Sequence, residues 1–232
     1  MTPIDPNVPV PEVDDASTPQ LHASPSMVVA IGASAGGHEP LEQIFTRLTT
    51  DTGLAFVVLM HLTADSPSHL VDLLRHYTTM PVVTAEEAMA VQPDTVYAIP
   101  PGKVLSIRGG LLHLLPTAGG AGPHHPIDLF FTALAEDQGE SAVAVILSGF
   151  GNDGSQGVRR IKECGGMVLV QEPHTAINGS MPEQAIDSGA VDLILPAEAM
   201  AAQLQEIANG WPGAANLIGR DTLHNEELQL MF

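Results

Sequence analysis

From residue 27 to about residue 210, short wholly apolar runs alternate with segments whose apolar side chains recur at helical spacing. MVVAI (27–31), AFVVLM (55–60), AVAVIL (142–147), MVLVQ (167–171) and VDLIL (191–195) are continuous rather than alternating. That is the pattern of strands buried on both faces. Between them, Leu41, Ile44, Phe45 and Leu48 mark a helix over 38–48, and similar spacing predicts helices over 68–77, 128–137, 157–163, 182–188 and 197–209. VYAIP, KVLSI and LLHLL, within 96–115, are brief runs broken by Pro-Gly and Gly-Gly pairs, which predict antiparallel pairing. The expected fold is therefore α/β: a doubly wound, mainly parallel sheet with helices on both faces and a small antiparallel β extension.

The pattern stops at both ends. Residues 1–25 hold six of the 19 prolines and few large apolar side chains, too little to offset the entropy of ordering, so a disordered Pro-rich leader is expected there. The expected domain covers 26–210. Residues 211–232 are expected to be a tail, its apolar end suited to a linker into a following domain, and 117–123 a flexible loop. Nothing in the chain has the length of apolar sequence that a membrane helix needs, and the first residues lack the basic and apolar regions of a signal peptide. Cys164 is the single cysteine, which excludes an internal disulfide and Cys-based zinc sites and suits a reducing cytoplasm. Acidic residues outnumber basic ones 27 to 8, for a formal charge of −19, which argues against nucleic acid and anionic membrane as partners.

In open α/β sheets ligands sit beyond the carboxyl ends of the strands. The polar residues that fall there are Ser34 in Gly32-Ala33-Ser34-Ala35-Gly36-Gly37, His61 after the second strand, and Asp153 in Ser148-Gly149-Phe150-Gly151-Asn152-Asp153-Gly154. A serine, a histidine and an aspartate at one sheet edge are the inventory for acyl transfer. Ser34 lies in a G-x-S-x-G turn whose small neighbours expose the hydroxyl. The helix that follows offers its positive end to an oxyanion. His61 has an unperturbed pKa of about 6.5, suited to a base, and Asp153 would fix its tautomer. The ordinary alternatives are a phosphate-binding turn for Ser34, a loop histidine for His61, and a turn or helix-cap role for Asp153. The order Ser…His…Asp differs from those of the α/β-hydrolases, chymotrypsin and subtilisin.

At these residues the chain resembles the catalytic domain of the chemotaxis protein-glutamate methylesterases, the CheB family. Six blocks carry the likeness in the family's order: IGASAGG (31–37), MHL (60–62), YAIPPGK (97–103), HPIDLFF (125–131), LSGFGNDG (147–154) and GSMPEQAI (179–186). The resemblance implies a triad of Ser34, His61 and Asp153, with the main-chain N–H groups of Ala35 and Phe150 as oxyanion donors. It also implies hydrolysis of glutamyl methyl esters, and deamidation of glutamines, on methyl-accepting chemoreceptors by a cytoplasmic domain without metal or organic cofactor. Ala35 stands where the family often has Thr, and Phe150 where Met is common; the bulkier ring is expected to narrow the site. The leader is too short for a receiver domain, so control by aspartyl phosphorylation within this chain is not expected. The wording around ASAGG, HPIDLFF and ALAEDQGE is similar to the variant fused to a receptor methyltransferase, which would then lie in the same full-length chain.

The remaining candidates have plainer readings. The ten histidines form no zinc-enzyme motif, and His125 is either a site-lining or a turn residue. Arg159, Arg160 and Lys162 could meet acidic receptor helices, although a solvated helix face is the default. Met80, Met89, Met181 and Cys164 are expected in packing roles. Two rival functions stay open. One is a nucleotide-binding oxidoreductase, which lacks its ribose-binding acid because His61 stands there. The other is a silenced binding module of a larger signalling protein, which a serine-directed fluorophosphonate would distinguish.

Overall fold

The computed structural model describes residues 24–60, 69–115 and 125–210. The expected leader, the expected loop at 117–123 and the expected tail fall largely or wholly outside these residues, as does His61. No helix among the described residues is long and apolar enough to cross a membrane.

A seven-stranded sheet organises the domain. Its strands are β1 (Met27–Ala33), β2 (Leu54–Met60), β3 (Val82–Thr84), β5 (Thr95–Ala98), β8 (Ala142–Ile146), β9 (Met167–Gln171) and β10 (Leu193–Leu195), in the order β10-β9-β8-β1-β2-β5-β3. Every pairing in it is parallel. Such a sheet needs cover on both faces. Val29, Ile31, Phe56 and Val58 pack against α1 (His38–Phe45), α2 (Leu70–Tyr77) and α6 (Ala197–Ala208). Val28, Ala30, Val57 and Ala144 pack on the other side against α3 (Pro126–Gln138), α4 (Ser155–Glu163) and α5 (Ser180–Asp187). Continuous apolar strands thus become two cores, one per face, by the period-two alternation of side chains.

A second, antiparallel sheet joins β4 (Met89–Ala90), β7 (Leu111–Leu115) and β6 (Val104–Arg108) in that order. The expected extension is therefore present, with one correction. VYAIP does not belong to it: Val96–Ala98 pair in parallel between β2 and β3 in the main sheet. The Pro100-Pro101-Gly102 turn carries the chain from one sheet to the other, so its turn chemistry marks a change of sheet and not a hairpin. The Gly109-Gly110 turn does close a hairpin, β6–β7, with Arg108 opposite Leu111. The short strands β3 and β4 go unmarked in the sequence. Tyr97 couples the two sheets, its hydroxyl donating to Ala90 O (3.1 Å) and accepting from Gln92 N (2.8 Å).

β1 is the switch point of the topology. The chain moves to β2 on one side of it and, after α3, to β8 on the other. The crevice at the carboxyl ends of β1 and β8 is where such sheets bind ligands.

Candidate active site

Ser34 follows directly on β1, half-buried, with its N–H donating to Ser148 O at 3.0 Å and its carbonyl accepting from Gly37 N at 3.0 Å. The turn therefore leans on the segment that leaves β8. A Cβ on Gly149 would lie 2.9 Å from Ser34 Cβ and still closer to Met181 Sδ, so this position needs glycine for the two loops to meet. Ala35 and Phe150 are exposed, and neither main-chain N–H has an acceptor among the described residues. Phe150 is 65% exposed. Ile177, 67% exposed, is seated over Gly36, where an added Cβ would meet it at 2.7 Å.

A buried hydroxyl ties these loops together. Ser148 Oγ donates to Ala35 O (3.0 Å) and accepts from Asn178 N (3.0 Å). Asn178 Nδ2 donates to the same Ala35 carbonyl at 3.0 Å, and Gly149 N donates to Asn178 O at 3.0 Å. Ser148 N donates to Gln171 Oε1 (2.9 Å), and Gln171 Nε2 reaches Thr175 O at 3.3 Å. Sequence reasoning assigned no role to Ser148, Gln171 or Asn178. A polar residue just past the end of an all-apolar strand was the available signal for Ser148, and Gln171 ends its own strand.

Asp153 is 4% exposed, at the far end of the same turn. Its Oδ2 accepts from Ile127 N (3.1 Å) and its Oδ1 from Asp128 N (2.9 Å). It thus caps the first turn of α3, not the helix that follows it in sequence. Ile127 also packs on the strand that carries Ser34: a Cβ on Gly32 would lie 2.7 Å from Ile127 Cγ2. Asp128 returns the arrangement, its Oδ1 accepting from Gln156 N (2.9 Å) and Gly157 N (2.7 Å) in the first turn of α4. Burial foremost, and then the Asp153 charge, raise the Asp128 pKa above the usual carboxylate range against the pull of those N–H groups and of His125.

His125 Nδ1 lies 3.8 Å from both Asp128 Oδ2 and Asp153 Oδ1. These three residues form the one cluster among the described residues with metal-ligand proximity. Three of its four carboxylate oxygens already accept backbone N–H groups, so helix capping accounts for the two carboxylates.

The strand register brings the ends of β1 and β2 level, Ala33 being paired with Met60. The CheB methylesterase profile matches residues 29–204. The chain belongs to that family. The crystal structure of the CheB methylesterase catalytic domain from Thermotoga maritima is similar over 78% of this chain and 98% of that one, with a TM-score of 0.68 and 28% identity. The protein-glutamate methylesterase/protein-glutamine glutaminase of Moorella thermoacetica is 33% identical over 188 residues, 79% of this chain and 44% of that protein. An uncharacterized 104.1 kDa protein of Rhodobacter capsulatus is 37% identical over 152 residues, 66% of this chain and 16% of that protein. This chain therefore spans less than half the length of these two relatives.

Within the CheB-type framework the other side chains take the plainer roles. Arg160 pairs with Glu163 and Glu136 on an exposed surface, and Lys162 Nζ meets Asp192 Oδ1 at 2.7 Å. Met80 and Met181 are core residues, whereas Cys164 is only part-buried against the core.

Proposed function

We propose that this domain is a cytoplasmic protein-glutamate methylesterase and protein-glutamine deamidase acting on methyl-accepting chemoreceptors, with Ser34, His61 and Asp153 as its triad. The reading is carried by one observation. Ser34 stands in the switch-point crevice of a CheB-family domain, flanked by two main-chain N–H groups, of Ala35 and Phe150, that have no acceptor among the described residues. His61 follows Met60, which is in register with Ala33, the residue before Ser34. Asp153 leaves the neighbouring strand at the same edge.

The steps follow from these positions. Ser34 Oγ attacks the γ-carbonyl carbon of a glutamyl methyl ester while His61 takes its proton. The tetrahedral oxyanion forms opposite the Ala35 and Phe150 N–H groups, which donate to it. The C–O bond to the methoxy group breaks, His61 returns the proton, and methanol leaves. Water then attacks the acyl carbon, giving its proton to His61, and Ser34 departs with that proton, leaving glutamate. With glutamine the first leaving group is ammonia. Asp153 keeps the imidazole in the tautomer this requires and stabilises its cation. A receptor methyltransferase in the same full-length chain is part of the proposal, as it would supply the esters consumed here.

The test is methanol release from methylated receptor together with fluorophosphonate labelling. Wild type should do both. Ser34→Ala should label at no residue and lose turnover by more than about 10³-fold. Turnover kept within about tenfold would remove Ser34 as nucleophile, and labelling without any methanol release would favour a silenced module.

A further inference from the structure

We propose that Asp128 is a positioning residue for Asp153, the two carboxylates capping each other's helices so that the turn carrying Asp153 is held from both sides. This rests on the triad reading above. Asp153, just before α4, receives the Ile127 and Asp128 N–H groups at the start of α3. Asp128, in the first turn of α3, receives the Gln156 and Gly157 N–H groups at the start of α4. Each helix thus supplies the acceptor for the orphan donors of the other, in place of the usual cap from its own preceding residue. Neither helix has a side-chain cap from its own N-cap residue, His125 or Gly154.

The crossing makes the two positions interdependent. Asp153 is oriented by α3, and α3 is oriented against α4 by Asp128. The helix starts also approach closely: a Cβ on Gly157 would lie 2.5 Å from Phe131 Cβ and 3.2 Å from Asp128 Cα. Ile127, one of the two residues whose N–H groups Asp153 accepts, packs on Gly32, two residues before Ser34. A shift of the α3 start would therefore displace the acceptor side of the triad relative to the nucleophile. A misplacement of about 1 Å can cost on the order of 10²-fold in rate.

Asp128 Oδ1 accepts both N–H groups, so a single side-chain oxygen suffices there. Asp128→Asn should keep kcat within about tenfold, whereas Asp128→Ala should lower it on the order of 10²-fold with KM unchanged. Both are measured by methanol release from methylated receptor and normalised to folded protein by circular dichroism. Asp128→Glu, which moves the carboxylate by one methylene, should behave like Asp128→Ala and serves if the alanine variant does not fold. In an Asp153→Asn background, Asp128→Ala should cost little further rate, because residues acting as one unit are non-additive. A loss of stability with normal kcat per folded molecule would overturn the inference, as would a multiplicative loss in the double variant. Full turnover by Asp153→Asn alone would instead remove the triad reading, and the inference with it.

Discussion

Asp153→Asn separates capping from chemistry more sharply than any other single substitution. In a local turn Asn caps a helix about as well as Asp, and the change would leave stability alone. The structure makes it costly. Both carboxylate oxygens of Asp153 are used, Oδ1 by Asp128 N and Oδ2 by Ile127 N, in a residue 4% exposed. Asparagine offers one oxygen, so one of those N–H groups would face an amide NH₂. Loss of a hydrogen bond to a charged acceptor and an unsatisfied buried donor together cost about 2–4 kcal/mol, part of it offset by relief of repulsion from Asp128. For a domain of this size that is a fall of about 4–16 °C in Tm. Turnover should fall much further, on the order of 10⁴-fold, or about 5 kcal/mol of transition-state stabilisation, because the wrong imidazole tautomer is favoured. Thermal unfolding by circular dichroism and methanol release on the same preparation read the two effects separately. A lower Tm with normal turnover would leave Asp153 as a cap alone. Lost turnover with an unchanged Tm would contradict the two-oxygen capping.

His61→Ala should lose methanol release almost as completely as Ser34→Ala, and the double variant should lose little more; independent losses in the same assay would mean that His61 is not the base for Ser34. Ser148→Ala leaves the part-buried Asn178 N–H without its acceptor and should lower Tm by about 2–10 °C, checked by thermal unfolding. Asp128 has a raised carboxyl pKa, chiefly from burial, so the folded state holds this proton more tightly than the unfolded chain. Its contribution to stability is therefore fully present below the unfolded value of about 4 and is lost as pH rises through the raised folded value. The Tm of wild type relative to Asp128→Asn should fall between pH 4 and pH 7, and a rise over that range would reverse the assigned direction.

The two-face core was legible because strands such as Val28–Ile31 and Val143–Ile146 are apolar without interruption, and only a sheet covered on both sides permits that. Lateral order was not. β5 lies between β2 and β3, although β3 and β4 intervene between β2 and β5 in the chain. Parallel pairing carries no turn that would record its partners. β3 and β4 have three and two residues, too few for any periodicity to emerge. In the site, Ser34 and Asp153 could be proposed because polar turns follow where apolar strands end. The groups that hold them could not. Ser148 binds the Ala35 carbonyl across 113 positions, and Asp128 binds Gln156 and Gly157 across 28 and 29. Hydrogen bonds to distant backbone leave no requirement on the sequence nearby.

The two readings of Asp153 compete only while its partners are assumed to be local. A cap on the following helix would occupy the carboxylate with its own turn, and its orientation would be as loose as that turn. A cap on α3 instead ties the carboxylate to an element that packs on both α4 and β1. Both of its oxygens are held by backbone N–H groups of α3, in a buried residue. A group that must hold an imidazole in one tautomer needs a fixed place. Capping a distant helix supplies that place, so under the proposed triad the structural role and the chemical role would draw on the same pair of hydrogen bonds.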